Sequence, residues 1–375
     1  MKRTLALMCL LITPMAAAEY KIAVVSLLHA HVWLHLGTMM KGDPVKLVGV
    51  SETLPDLIAR ATREDVIPQT QNVRRPGVPQ SMIYSDWKKM IDETKPDIVW
   101  AFTPTNEHVD VVRYCAPRGI QVIMEKPLAA TYKEALEIQA LARKHKIRVM
   151  TNYGSTWQAS QYAVRAAVEA GEIGPVWRLH GVTGHNGPGD PKRSSFAAWL
   201  ADPVQNGGGA LMDFGCYQVL SALSIKGKPK SVYATALHMK PETFPKVEDH
   251  AVIILNYPDG VAILEASWDL PPAQRLGNEI YGMKGSIVGN AMRKAGSGGG
   301  GGGGRGSQQS GTPVEVKPLP PERSEPIAYM VDRLRTNQPL DGQNDLGLQV
   351  DVQEVLEAAK MSVKSGAAVV LPLKK

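Results

Sequence analysis

The run Ile120-Gln-Val-Ile-Met-Glu-Lys-Pro-Leu-Ala-Ala-Thr-Tyr132 constrains this chain more than any other segment. A short apolar strand leads directly into Glu125-Lys126-Pro127 and then into a helical pattern, so a buried strand delivers a cation to a fixed point. An unpaired ammonium at the mouth of an apolar sheet is costly, so Lys126 must face a carboxylate, a substrate hydroxyl or a cofactor. A structural salt bridge to Glu125 or to another neighbour meets the same requirement.

Around that run, apolar β-rich segments at 21–25, 45–50, 98–102, 122–124 and 148–150 alternate with helical patterns at 31–40, 107–116 and 133–145. Strands spaced by helices predict a Rossmann-like, doubly wound parallel sheet over residues 19–150. Beyond Tyr153, a helix at 158–170 gives way to closely spaced strands at 176–182, 231–236, 250–256, 261–268 and 278–281. That pattern predicts an α+β domain with an open, largely antiparallel sheet over 151–375. Helices at 327–335 and 346–363 close the fold, and Pro326 suits a first helical position. Seven consecutive glycines inside 296–311 predict a flexible loop, because a phosphate cradle needs an ordered strand–turn–helix context.

Residues 1–18 read as a secretory signal: Lys2-Arg3, an apolar stretch from Leu5 to Ile12, then Ala16-Ala17-Ala18 before Glu19. The stretch is too short to span a bilayer and carries no twin-arginine pair. A periplasmic or secreted mature protein without a membrane span is expected. Removing Lys2 and Arg3 takes the formal net charge from +6 to +4. That mild excess, spread without a basic block, argues against nucleic acid as a partner. Cys9 lies in the signal, and Cys115 and Cys216 outline no disulfide framework.

Three motifs at matching separations resemble the Gfo/Idh/MocA family of nicotinamide-dependent sugar and polyol oxidoreductases. They are the strand-Glu125-Lys126-Pro127-Leu128-Ala129 run, Thr103-Pro104-Thr105-Asn106-Glu107-His108, and Asn206-Gly-Gly-Gly-Ala-Leu-Met-Asp213-Phe-Gly-Cys-Tyr217. The resemblance implies bound NAD facing Thr103, Pro104, Asn106, His108, Glu125 and Lys126, a carbohydrate or cyclic polyol as substrate, and a homo-oligomer formed through the open sheet. It also implies catalysis by Lys126 and Asp213. The family's usual Asp-x-x-x-His carries Tyr217 here in place of the histidine. Asp213 and Tyr217, four apart, are expected on one helical face. A tyrosine near its reference pKa of about 10 is a poor base unless a cation lowers it, and Lys126 is the candidate cation.

The dinucleotide fingerprint G-x-G-x-x-G after the first strand is missing, with Ser26, Leu28 and His31 at its three glycine positions. Amides at a helix N-terminus can still hold phosphate, and Glu52 ends the second strand where a carboxylate would bind a ribose hydroxyl and disfavour NADP. His29, His31 and His35 suggest a metal, but no Asp, Glu or Cys lies near them in sequence. No metal is expected, and His29 and His31 are read as lining the pyrophosphate turn. Asn152, Tyr153, Thr156, Trp157, His185 and Asn186 supply hydrogen-bonding groups and an aromatic plane for a pyranose. Three functions fit: an NAD-dependent oxidoreductase acting on a secondary hydroxyl, redox-assisted glycoside cleavage with retained NAD, and a carbohydrate-binding protein that has lost cofactor use.

Overall fold

The structure is a computed structural model that describes residues 20–67, 73–270, 277–294 and 311–374. The expected signal at 1–18 and all but the last residue of the glycine-rich 296–311 segment lie outside the described residues.

The first half builds β1 (Tyr20–Val25), α1 (Val32–Met40), β2 (Val45–Ser51), α2 (Pro55–Thr62), β3 (Asp65–Ile67), β4 (Val73–Arg75) and β5 (Ile83–Tyr84). It continues with α3 (Trp87–Thr94), β6 (Ile98–Ala101), α4 (His108–Cys115), β7 (Gln121–Glu125), α5 (Tyr132–His145) and β8 (Val149–Asn152). Six of these strands form one parallel sheet in the order β5-β2-β1-β6-β7-β8. Alternate residues of β1 explain its continuous apolarity. Ile22 and Val24 enter a core with Leu36 and Trp100, whereas Ala23 and Val25 enter one with Met90, Val112 and Ile138. A strand buried on both faces shows no polar alternation.

The second half contains α6 (Ala159–Glu169), β9 (Val176–Gly184), α7 (Ser195–Leu200), α8 (Ala210–Asp213), α9 (Gly215–Lys226), β10 (Ser231–Leu237) and β11 (His250–Tyr257). β12 (Gly260–Ser267), β13 (Gly277–Gly282), β14 (Gly285–Val288), β15 (Ala291–Lys294) and β16 (Thr312–Pro313) follow. Last come α10 (Pro326–Arg335), α11 (Leu346–Ser365) and β17 (Val369–Val370). Its nine-stranded sheet runs β16-β15-β14-β13-β9-β12-β11-β10-β17 and is antiparallel except for the β9–β12 pair. One face packs under α9 and α11, while Trp177, Tyr233 and Leu237 are exposed.

The expected boundary at residue 150 falls inside β8 of the first sheet, and packing also crosses it. Ile327, Tyr329, Met330 and Val331 of α10 belong to the core of the first sheet. The two sheets are therefore fastened together from the C-terminal side as well as by the crossing after β8.

Candidate active site

In the first sheet the strand order reverses at β1, which lies between β2 and β6. The crevice beyond the carboxyl ends of β1 and β6 is where an open α/β sheet binds its ligand. Ser26, Glu52, Thr103, Glu125 and Asn152, which end or follow five different strands, all converge on that edge.

The turn after β1 departs from the expected phosphate cradle. Ser26 holds φ +68, a left-handed conformation ordinarily given to glycine. The Leu27 N–H donates to Glu52 Oε2 at 2.7 Å, Leu28 N–H to Ser26 Oγ at 3.1 Å, and His29 N–H to the Phe102 carbonyl at 3.0 Å. His31 N–H donates to His29 Nδ1 at 3.2 Å, and Val32 N–H to the His29 carbonyl at 3.1 Å. Without glycines, side-chain acceptors close over amides that a pyrophosphate would use. Glu52 is turned inward for the same reason: besides Leu27 it accepts from Thr53 and Leu54 N–H at 2.7 and 3.0 Å, so its carboxylate organises the turn. Leu28 packs against a cluster containing Trp199, Phe244 and Trp268.

What the crevice offers a polar ligand is side chains. Thr103 Oγ1, Asn106 Oδ1, His29 Nε2, His108 Nε2 and Trp199 Nε1 are buried without a hydrogen-bond partner. Buried polar atoms in that state cost stability unless a ligand or water satisfies them. Of these, Thr103 Oγ1, Asn106 Oδ1 and His108 Nε2 fit a dinucleotide held by side chains, with Pro104 opening the turn that presents Asn106. His108 Nδ1 donates to the Leu128 carbonyl at 3.2 Å, and burial brings its pKa down to about 4, so Nε2 is a free acceptor.

Lys126 follows β7 and is 5% exposed. Its ammonium forms an ion pair with the Asp213 carboxylate and donates to the Asp213 carbonyl at 3.2 Å. Trp268 Nε1–H donates to the other carboxylate oxygen at 2.8 Å. Burial alone would discharge both groups, but each partner overrides it. Lys126 is held above the usual lysine range and Asp213 below the usual carboxylate range. Asp213 and Tyr217 do not share one helix. α8 ends at Asp213, Phe214 breaks the path, and α9 starts at Gly215. They meet at Lys126 nonetheless, with its Nζ 5.5 Å from the Tyr217 ring centroid. The expected lowering of the phenol pKa does not occur. Burial pushes Tyr217 up, and the opposing pull of Lys126 is the smaller effect.

The glycine run brings these groups together. Gly207 has φ +84, and a Cβ there would lie 2.4 Å from the Ala130 carbonyl. Only glycine lets this loop lie against the segment that follows Lys126. Glu248 then caps the next amides, accepting from Gly209 and Leu211 N–H at 2.8 and 3.0 Å. Gly207→Ala is expected to cost on the order of 1–3 kcal/mol by chemical denaturation, and to separate Asp213 from Lys126. An unchanged denaturation midpoint would contradict this account of the loop.

The substrate wall is only partly as expected. Tyr153 meets Tyr217 edge-on with ring centroids 5.2 Å apart, and its hydroxyl is buried and unpartnered. His185 is exposed and edge-on to Phe214 at 4.8 Å, with Asn186 exposed beside it. Trp157 and Thr156, in contrast, are supports. The Trp157 indole N–H donates to Asn152 Oδ1 at 2.9 Å while its ring lies against Tyr329, and Thr156 is buried with its hydroxyl 3.4 Å from Gln343 Oε1. Asn152 uses its Nδ2 on Glu125 Oε1 at 2.8 Å. Phe196, Trp199, Phe214 and Trp268 were not foreseen, and they wall the crevice from the second domain. Ser194 capping a short apolar stretch was the available signal for α7.

The histidine cluster also differs from expectation. His31 Nδ1 lies 2.8 Å from Glu125 Oε2, and the His29 and His31 ring centroids are 4.4 Å apart. The acidic group missing nearby in sequence arrives from 94 positions away.

Two family descriptions match this chain. "Oxidoreductase family, NAD-binding Rossmann fold" covers residues 35–153, and "GFO/IDH/MocA C-terminal domain" covers 162–288. The chain belongs to the Gfo/Idh/MocA oxidoreductases. Among relatives, D-xylose 1-dehydrogenase (NADP(+)) 2 of Haloferax volcanii is 26% identical over 60% of this chain and 68% of its own. Levoglucosan dehydrogenase of Pseudarthrobacter phenanthrenivorans is 26% identical over 67% of this chain and 66% of its own. The chain spans about half of one further relative, an oxidoreductase of Schizosaccharomyces pombe. The fold is shared with aldose-aldose oxidoreductase from Caulobacter crescentus, complexed with glycerol (TM-score 0.73, 22% identity, 94% of this chain and 100% of that one). No helix among the described residues is long and apolar enough to cross a membrane.

Proposed function

We propose that this Gfo/Idh/MocA oxidoreductase interconverts a secondary hydroxyl and a ketone on a carbohydrate or cyclic polyol, using NAD that stays bound through the cycle. The observation that carries the reading is Lys126, locked to Asp213 beside Tyr217 at the ligand-binding edge of the parallel sheet. NAD supplies or accepts the hydride. Lys126 remains an ammonium and Tyr217 a neutral phenol, so both act as hydrogen-bond donors toward a substrate oxygen. Two such donors meeting one substrate oxygen would polarise a carbonyl and stabilise the alkoxide that develops from it. This favours ketone reduction, with Tyr217 as proton donor, over deprotonation of an alcohol by Tyr217.

Export to the periplasm supports cofactor retention, since free nicotinamide is not replenished there. A closed cycle, in which the hydride returns to the same substrate or passes to a second carbohydrate, suits that compartment. The engaged amides of the turn after β1 favour a second reading, a carbohydrate-binding protein without cofactor use.

One preparation separates the two. Protein from the envelope fraction should begin near Glu19 and, on denaturation, release close to one nicotinamide per chain. Tyr217→Phe should lower turnover on the order of a hundredfold with retention unchanged. If no preparation releases nicotinamide and titration shows none binds, hydride chemistry is excluded and the binding reading stands.

A further inference from the structure

We propose that His29, His31 and Glu125 form a binding site for one divalent transition-metal ion of the zinc class, at the crevice end of β1 and β7. One donor atom from each of the three lies within 4.8 Å of the others. Two imidazoles and one carboxylate are a donor set that catalytic zinc sites use, with a further position left open to water or substrate.

The surroundings are those of a ligand set rather than a chance contact. Glu125 is fully buried, and its two oxygens have separate tasks. Oε1 accepts from Asn152 Nδ2 at 2.8 Å, and Asn152 is in turn fixed by the Trp157 indole N–H at 2.9 Å. That chain orients the carboxylate and leaves Oε2 directed at the histidines, which is what outer hydrogen bonds do for metal-bound carboxylates. His29 is 1% exposed and its Nε2 has no partner. Burial holds its pKa well below the ordinary histidine value, so the ring is neutral, as a metal ligand must be. The nearby Lys126 charge is matched by Asp213, so the carboxylate of Glu125 is left to balance an incoming cation.

Some movement accompanies binding. Zinc–nitrogen bonds of about 2.0–2.1 Å set tetrahedral ligand atoms ~3.4 Å apart, closer than the widest separation here. His31 can supply the shift, because its side chain is 34% exposed and its amide contact to His29 Nδ1 is long at 3.2 Å. Ligation through His29 Nε2 moves the ring proton to Nδ1 and gives up that amide contact. Ligation through His31 Nδ1 likewise places its ring proton on Nε2, and Glu125 Oε2 exchanges the 2.8 Å contact with His31 for the metal.

The inference does not rest on the proposed hydride reaction and is read by binding alone. The full chain is stripped with a chelator, freed of it, and titrated near neutral pH with Zn2+ by calorimetry and with Co2+ by visible absorbance. One equivalent should bind, with the cobalt bands of a nitrogen–oxygen site and no thiolate charge transfer. His31→Ala and Glu125→Gln should each weaken binding at least about a hundredfold, and Asn152→Ala about tenfold. His238→Ala, an exposed histidine elsewhere, should change nothing. The wild-type titration decides the matter even if a variant misfolds. Absence of stoichiometric binding overturns the proposal and leaves a hydrogen-bonded His31–Glu125 pair. Binding that persists in both ligand variants overturns it as well, as adventitious surface coordination.

Discussion

Asp213→Ala should lower the unfolding free energy by about 3–5 kcal/mol, because it leaves the Lys126 ammonium buried without its counter-charge. It also removes the acceptor of the Trp268 indole N–H. The pair contributes over a wide pH window. Lys126 is raised, so its share is present below the unfolded lysine pKa of about 10.4 and fades only as pH rises beyond it. Asp213 is depressed, so its share is present above about pH 3.9 and fades as pH falls below. Denaturant unfolding near neutral pH therefore reads the whole effect. Turnover should fall at least about a hundredfold in the same variant and in Lys126→Met, since either change removes a positioned donor. The double variant Lys126→Met/Asp213→Leu separates the two roles. Replacing both charges with apolar groups should recover most of the lost stability, while activity stays absent. If Asp213→Ala unfolds at the wild-type denaturant concentration, the ion pair is not the anchor described here. If the double variant turns substrate over, Lys126 is structural only.

The parts of this molecule that were legible in sequence are those fixed by burial on two faces or by close approach of backbone. Strands β1, β6 and β7 announced themselves as short apolar runs because both of their faces are covered. The Glu125-Lys126-Pro127 step marked the site because a strand must end with a charge facing something, and Asp213 is that partner. The glycine run before Asp213 was visible, and its reason is steric: a Cβ on Gly207 would meet the Ala130 carbonyl. What escaped depends on distance in three dimensions. β5 and β17 are two residues each, too short for any period to show. Glu52 has the place expected of a ribose carboxylate, and with the glycines lost it also closes on the Leu27 amide, a contact that sequence spacing does not encode. The helix expected to carry both Asp213 and Tyr217 is interrupted at Phe214, a break that residue spacing does not encode. The cation beside Tyr217 is legible as a motif, whereas the desolvation that outweighs its pull belongs to the packed crevice. The histidines lacked an acidic partner only along the chain, since Glu125 reaches them across the sheet. The periodicity of α10 marks it as a helix, but nothing local says which sheet its apolar stripe covers, and it packs into the core of the first.

Mild acid should destabilise the fold before the Asp213 and Glu125 carboxylates protonate. Burial brings His108 from 6.5 to about 4, and His35, its ring centroid 4.5 Å from that of Trp100, also to about 4. A histidine whose folded pKa is depressed binds its proton only in the unfolded chain between those two values. Its contribution is whole above about pH 6.5 and is lost as pH falls toward 4, where the unfolded state is favoured by up to about 3 kcal/mol for a group as buried as His108. His35 retains more contact with solvent and should add less. The carboxylates give a different window. Asp213 and Glu125 are both held below the usual range by their cationic or imidazole neighbours, so their contributions are lost only below about pH 4. Unfolding free energy measured in denaturant, with a chelator present to keep the chain metal-free, should therefore fall from pH 7 to 4.5. Its slope should approach 1.4 kcal/mol per pH unit for each histidine involved, the linkage value of about one proton. His108→Asn can keep a donor toward the Leu128 carbonyl while removing the titrating ring, so it should flatten that slope by nearly one proton. A stability that stays level between pH 7 and 4.5 in the wild type would mean these imidazoles reach water, and the buried crevice described here would have to be open.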